Sequence, residues 1–140
     1  MTINNKYIVL LSIVCFLISL NQAVFFHSPN YREYTKGWEI FVFGWFGILK
    51  GNIISIAWLA NPMLIMSWVN FKKNKITLKY SALSLFFCLF FVIYDFFKNE
   101  IQFSNYNEGF YFWISSILIM TLANLYFMKQ IVKENNRVIL

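Results

Sequence analysis

Four stretches of this chain contain no formally charged residue, bounded by Lys6 and Arg32, Lys50 and Lys72, Lys79 and Asp95, and Glu108 and Lys129. A helix crossing the roughly 30 Å hydrocarbon core of a bilayer needs about 20 mostly apolar residues. The windows supply such segments at about 7–26, 52–71, 77–97 and 109–128, the third reaching full length if Lys79 snorkels to the headgroups. Lipid offers the backbone no hydrogen-bond partners, and the strict alternation of a barrel strand is missing, so each segment is expected to be helical. The expected fold is an all-α integral membrane protein of four transmembrane helices, a single polytopic membrane domain over 1–140.

Composition excludes the main alternatives. Of the residues, 59% are hydrophobic, 21% aromatic and 13% charged. Soluble domains hold about 45–50% apolar and about 25% charged residues. Too few charged side chains exist to build a water-facing surface, and the same numbers exclude intrinsic disorder. The net charge of +6 reads as Lys and Arg flanking membrane spans rather than as nucleic-acid binding. Cys15 and Cys88 form neither a disulfide framework nor a metal-ligand spacing, although helix depth would let them approach. Frequent Phe, Ile, Asn and Lys point to an AT-rich bacterial genome. The first span is read as a permanent anchor, because Ala23 is preceded two residues earlier by Asn21, a poor cleavage site, and Val14 before Cys15 is a poor lipoprotein signal.

Charge placement predicts orientation. Lys6, the loop lysines 72, 73, 75 and 79, and Lys129, Lys133 and Arg137 fall on one side, with Glu134 as the sole acid there. Arg32, Lys36, Lys50 and Lys98 fall on the other, with Glu33, Glu39, Asp95, Glu100 and Glu108. The first side is therefore cytoplasmic and carries both termini, N-in and C-in, in the inner membrane of a bacterium. The tail 129–140 is expected to lie as a basic helix against the anionic leaflet.

Residues 38–49 fit neither loop nor span. Trp38, Phe41, Phe43, Trp45 and Phe46 crowd a run too short to cross, and joining it to the next span would give a helix of about 51 Å. It is expected to be either an aromatic interfacial helix or a re-entrant element buried by its neighbours. Gly44, Gly47, Gly51 and Ser55 recur at three- or four-residue intervals, a spacing that lets backbones approach. The stripe reads as packing within the chain, as a dimer face, or as a hinge around Lys50, Gly51 and Asn52. Asn61–Pro62 is expected to kink the second span at the carbonyl of Trp58, with Asn61 hydrogen-bonded to Asn124, Asn21 or Gln22.

The string Gly37-Trp38, Gly44-Trp45-x-Gly47, Gly51 and Trp58-Leu59-Ala60-Asn61-Pro62 resembles small uncharacterised bacterial inner-membrane proteins in which a Trp/Gly-rich segment leads into a W-x-A-N-P helix. The resemblance covers residues 37–68 and implies a four-helix bacterial membrane protein, without an activity.

Chemistry has few candidates. His27 is the single histidine and reads as a solvated interfacial residue. None of the spacings of a catalytic triad, a metal site or a phosphate loop is present, so no enzyme activity, metal or cofactor is expected. Asp95, at the outer end of the third span with Lys98 one turn on, is expected to be solvated at the interface. Glu39 and Lys50 are expected to be partly buried, and Glu39, Lys50, Asn61 and Asp95 are the candidate polar site. The expected function is contact between helices: an accessory subunit or an immunity-type inhibitor, with the bilayer and a membrane-protein partner or second copy as its company. The alternative is an oligomeric small transporter or channel.

Overall fold

The computed structural model describes residues 5–26, 34–98 and 106–138. His27, Arg32, Glu33 and Glu100 fall outside them. The chain is mostly helical. Helix α1 runs Asn5–Asn21, a short ribbon pairs β1 (Ala23–Phe26) with β2 (Tyr34–Lys36), and α2 follows at Gly37–Leu49. A 3-10 segment, η1, covers Ile53–Leu59 and passes directly into α3 at Ala60–Val69. The long helices α4 (Asn74–Lys98) and α5 (Glu108–Val138) complete the order. Two helices are long and apolar enough to cross a membrane, at Lys75–Lys98 and Glu108–Gln130.

Two boundaries differ from the sequence expectation. The first helix stops at Asn21 rather than at residue 26, because β1 pairs antiparallel with β2, Ala23 opposite Lys36 and Phe25 opposite Thr35. The molecule is thus not purely α. The second expected span is no single α-helix kinked at its middle: η1 carries seven residues of 3-10 structure, and Pro62 stands in the first turn of α3. A proline there removes no needed donor, since first-turn amides have no partner inside the helix. The carbonyls of Ala57 and Trp58 are taken up at the end of η1, so the bond that Pro62 cannot make is not missed.

Successive long elements alternate in direction. Ser12 of α1 meets Ser116 of α5, while Val24 accepts from the Asn107 amide at 3.0 Å. Ser84 of α4 donates to the Ala60 carbonyl at 2.8 Å, and Thr77 donates to that of Asn70. Asn124 of α5 donates to Ser81 at 3.0 Å, and Tyr106 reaches Asp95. The ends near Lys6, residues 70–74 and Lys129 therefore gather at one end of the bundle, and the ribbon, Asp95 and Tyr106 at the other.

The packing seams are small and polar. In α4 the buried positions are Thr77, Ser81, Ser84, Cys88, Phe91 and Asp95, alternating four and three residues apart. This is the repeat that keeps one face of a helix against its neighbours. Ser12 and Ser116 bond reciprocally, each hydroxyl donating to the other's carbonyl at 2.9 and 2.8 Å, which requires α1 and α5 to approach closely. Facing outward are Phe86, Leu89, Ile93, Phe96 and Phe97 of α4 and Leu122, Leu125 and Tyr126 of α5. Two apolar clusters fill the remaining interior: Phe16, Leu64, Cys88, Ile117 and Met120 toward the middle, and Val24, Ala57, Phe91, Tyr106 and Phe110 at the ribbon end.

Candidate functional site

Helix α2 and η1 form a hairpin on the side of the bundle. Gly37 opens α2 with its amide on the Gln22 carbonyl at 3.1 Å, and its Cα lies so close to the Ser19 carbonyl that a side chain could not fit. Glu39 in the first turn accepts from the Lys36 amide at 2.9 Å, an N-terminal cap favoured by the helix dipole. The hairpin turns at Gly51, whose φ of +74° is a left-handed conformation that only glycine adopts at no cost. The side chain of Asn52 then accepts from the Ile54 amide and starts η1.

The glycine stripe closes this hairpin. A Cβ at Gly44 would lie 2.5 Å from Cδ1 of Trp58, and one at Gly47 would collide with the hydroxyl of Ser55. Trp58 completes the seam by donating its Nε1–H to the Phe41 carbonyl at 2.9 Å. Gly44, Gly47 and Ser55 thus face each other inside one chain, while Gly51 meets nothing and serves the turn.

Between hairpin and bundle lies a cavity of about 210 Å³. Its walls are Phe16, Ser19 and Leu20 of α1, Val24 and Phe25 of β1, the inner face of the hairpin, and Phe91, Phe110 and Trp113 of the long helices. The surface is almost wholly apolar. Besides the hydroxyls of Ser19 and Ser55, the exception is Asn61. It is 5% exposed, and its side-chain oxygen accepts from Nε1 of Trp113 at 2.8 Å, which fixes the orientation of the amide. Ser19 also borders the void, but its hydroxyl is committed to the Phe16 carbonyl at 2.7 Å.

A second polar feature sits at the ribbon end. Asp95 is 1% exposed and accepts from the Tyr106 hydroxyl at 2.5 Å. Tyr106 is held there by its backbone bridge to Phe25 and by stacking on Phe110, with ring centroids 4.2 Å apart. Burial pushes the Tyr106 phenol far above its ordinary value of 10.0, and the hydrogen bond to Asp95 acts in the same direction, so the phenol remains a donor at physiological pH.

The four residues expected to form one polar site are held by separate surroundings. Glu39 caps α2, Lys50 is exposed at the hairpin tip, Asn61 borders the cavity and Asp95 is paired with Tyr106. Lys50 is therefore not partly buried, because the turn at Gly51 carries it out of the protein. Asp95 is not solvated, because the ribbon brings Tyr106 over it. Asn61 pairs with none of its expected partners: Asn124 bonds to Ser81, Asn21 to the Leu17 carbonyl, and the Gln22 carbonyl to Gly37. Cys15 is partly exposed and Cys88 buried, both as free thiols. Sequence reasoning missed the serine seams and the pairing of Trp113 with Asn61. The four–three repeat of Thr77, Ser81, Ser84 and Cys88 was a readable signal of the first; nothing local signalled the second.

Among the described residues no group of three His, Cys, Asp or Glu side chains converges as metal ligands would. No protein-family model, curated protein or solved structure matches the chain.

Proposed function

We propose that this chain is a polytopic protein of a bacterial inner membrane, with four crossings and both termini cytoplasmic, that acts by contact with another membrane protein as an accessory subunit or immunity-type inhibitor. The membrane setting is supported by the inverted distribution of polarity. Ser12, Ser67, Ser81, Ser84, Ser116 and Thr77 are fully buried, while Phe86, Phe97, Leu122 and Leu125 face outward. Only 28% of the apolar window of α4 and 39% of that of α5 is buried within the protein, whereas the core helix of a soluble protein is mostly covered. Small residues inside and large apolar residues outside are what helices need when lipid supplies no drive for their association.

Four crossings are supported by length as well as direction. Helix α1 has 17 residues, about 25 Å, with the polar flanks Lys6 and Gln22 at its ends. The continuous segment Ile53–Val69 also has 17 residues, but η1 rises about 2.0 Å per residue rather than 1.5 Å, so it reaches roughly 29 Å. The bundle end that gathers Lys6, Lys72, Lys73, Lys75 and Lys129 is the one that the distribution of basic residues assigns to the cytoplasm.

The observation that carries the contact role is the outer face of α2. Trp38, Val42, Phe43, Trp45, Phe46 and Leu49 are all exposed there, and Trp45 stacks on Phe46 with centroids 3.8 Å apart. Stiff, pre-stacked aromatic side chains lose little freedom on docking and dominate the energetics of interfaces. The test is extraction from native membranes in mild detergent, with the mass of the complex measured and copurifying proteins identified. A stoichiometric second protein, lost when Trp45 and Phe46 are replaced by alanine, is the expected result. A complex untouched by those substitutions, or a monomer under every condition, overturns it. The cavity beside Asn61 favours the second reading, a small transporter assembled from several copies, and a homo-oligomer without a foreign partner would support that reading instead.

A further inference from the structure

We propose that the cavity between the α2–η1 hairpin and the bundle is a binding site for an uncharged, planar carbonyl compound about the size of one substituted ring, anchored by the side-chain amide of Asn61. The amide donates nothing from Nδ2 to any described residue, yet Nδ2 is not sealed off from the cavity: among the described residues Ser67 Oγ is the one buried side-chain polar atom without a partner. With Oδ1 turned to Trp113, Nδ2 is the donor left on the cavity side of a residue that is 5% exposed. A buried amide donor without an acceptor is costly, and a ligand oxygen at this point would relieve that cost. No charged side chain lines the void among the described residues, so an ionic ligand would lose its hydration without compensation.

Size and shape narrow the class. An apolar cavity of about 150 Å³ holds benzene, so about 210 Å³ admits roughly eight non-hydrogen atoms, far fewer than a lipid acyl chain. The walls are flat rings: Phe25, Phe91 and Phe110 meet with centroids 5.8–6.1 Å apart and tilted planes, and Trp58 and Trp113 flank them. Tilted rings at such spacing offer the edge-to-face and offset contacts that an aromatic guest prefers. With so few donors in an apolar, ring-lined pocket, Asn61 Nδ2 in its buried wall and the hydroxyl of half-buried Ser55, a ring bearing one acceptor is favoured over a guest with many polar groups.

The test uses the full chain in lipid nanodiscs, with ligand expressed as its mole fraction in the bilayer. Acetophenone binding is read by quenching of tryptophan fluorescence, and ethylbenzene and 2-octanone are measured by competition. Acetophenone should bind saturably and about fivefold more tightly than ethylbenzene, the weight of one neutral hydrogen bond. Asn61→Leu should erase that preference while leaving ethylbenzene binding in place. Ala57→Leu, which fills the void and keeps Asn61, should remove saturable binding of both, so the site is tested even if the first variant folds poorly. Equal affinity for acetophenone and ethylbenzene overturns the role of Asn61. Tighter competition by 2-octanone overturns the planar class in favour of an acyl chain. Absence of saturable binding by every probe overturns the site.

Discussion

Trp113 donates its indole N–H to the side-chain oxygen of Asn61 at 2.8 Å, joining the second turn of α5 to the first turn of α3 across 52 positions of sequence. The bond spans the point where η1 becomes α3, and Ser84 fixes the same turn by donating to the Ala60 carbonyl at 2.8 Å. These two contacts hold the Asn61–Pro62 step to the bundle from both long helices.

Replacing Trp113 by Phe keeps an aromatic ring and removes the donor, trimming part of the indole's packing on Phe91 and Phe110 as well, so a double-mutant cycle isolates the bond. Hydrogen bonds between membrane helices are worth on average about 0.6 kcal/mol and at most about 1.7 kcal/mol. Unfolding of the Trp113→Phe variant in mixed micelles of mild detergent and dodecyl sulfate should show a loss within that range, and a double-mutant cycle with Asn61→Leu should recover most of it as coupling. Additive losses would contradict a direct bond.

The hairpin should tolerate changes at Gly44, Gly47 and Gly51 differently. Gly47→Leu forces a side chain into the hydroxyl of Ser55, and Gly44→Leu into the ring of Trp58, so each should cost about 1–3 kcal/mol as overpacking. Gly51→Ala meets no neighbour but must adopt φ of +74°, costing about 1–2 kcal/mol through the backbone alone. Cutting Ser55 back to Ala should partly rescue Gly47→Ala and leave Gly51→Ala unchanged, as read from unfolding midpoints.

The Tyr106–Asp95 bond gives stability a defined pH dependence. The folded phenol holds its proton more tightly than a free phenol of pKa 10.0, so the native state is the better proton binder. The stability this lends is complete below about pH 10 and is lost as pH climbs above it. Wild type should therefore exceed Tyr106→Phe in stability at pH 8, and the gap should shrink by pH 11. A gap that widens would refute the assignment.

The two thiols should differ in reactivity. Cys88 is 2% exposed in the core beside Leu64 and Ile117, whereas Cys15 is partly exposed on α1. A membrane-permeant maleimide applied to the native protein should label Cys15 first, with Cys88 reacting only after unfolding. Mass spectrometry of the labelled chain distinguishes the two.

Much of the architecture was legible along the chain because it rests on local quantities. Apolar run length marked the long helices α4 and α5, and the spacing of Gly44, Gly47, Gly51 and Ser55 marked a place of close backbone approach. Proline chemistry marked the Trp58–Pro62 step as irregular, although the form it takes, a 3-10 segment ahead of a proline in a helix's first turn, depends on how the neighbouring carbonyls are satisfied. The seam Thr77, Ser81, Ser84 and Cys88 was present as a repeat, hidden because charge-free windows count serine and leucine alike.

What the sequence determined by itself, then, was helical character and the residues that forbid bulk at a contact, since these follow from hydropathy, period and the absence of a Cβ. Partnership was decided only by the tertiary structure. Gly47 meets Ser55 because the chain reverses at Gly51, and Asn61 finds Trp113 rather than Asn124 because these two residues of α5 stand about 16 Å apart along the helix axis, Asn124 lying level with Ser81. Asp95 is buried because a ribbon formed by residues far away in sequence delivers Tyr106 to it. Pairings of this kind depend on which donor and acceptor arrive at the same place in space, and that is a property of the assembled bundle rather than of any segment within it.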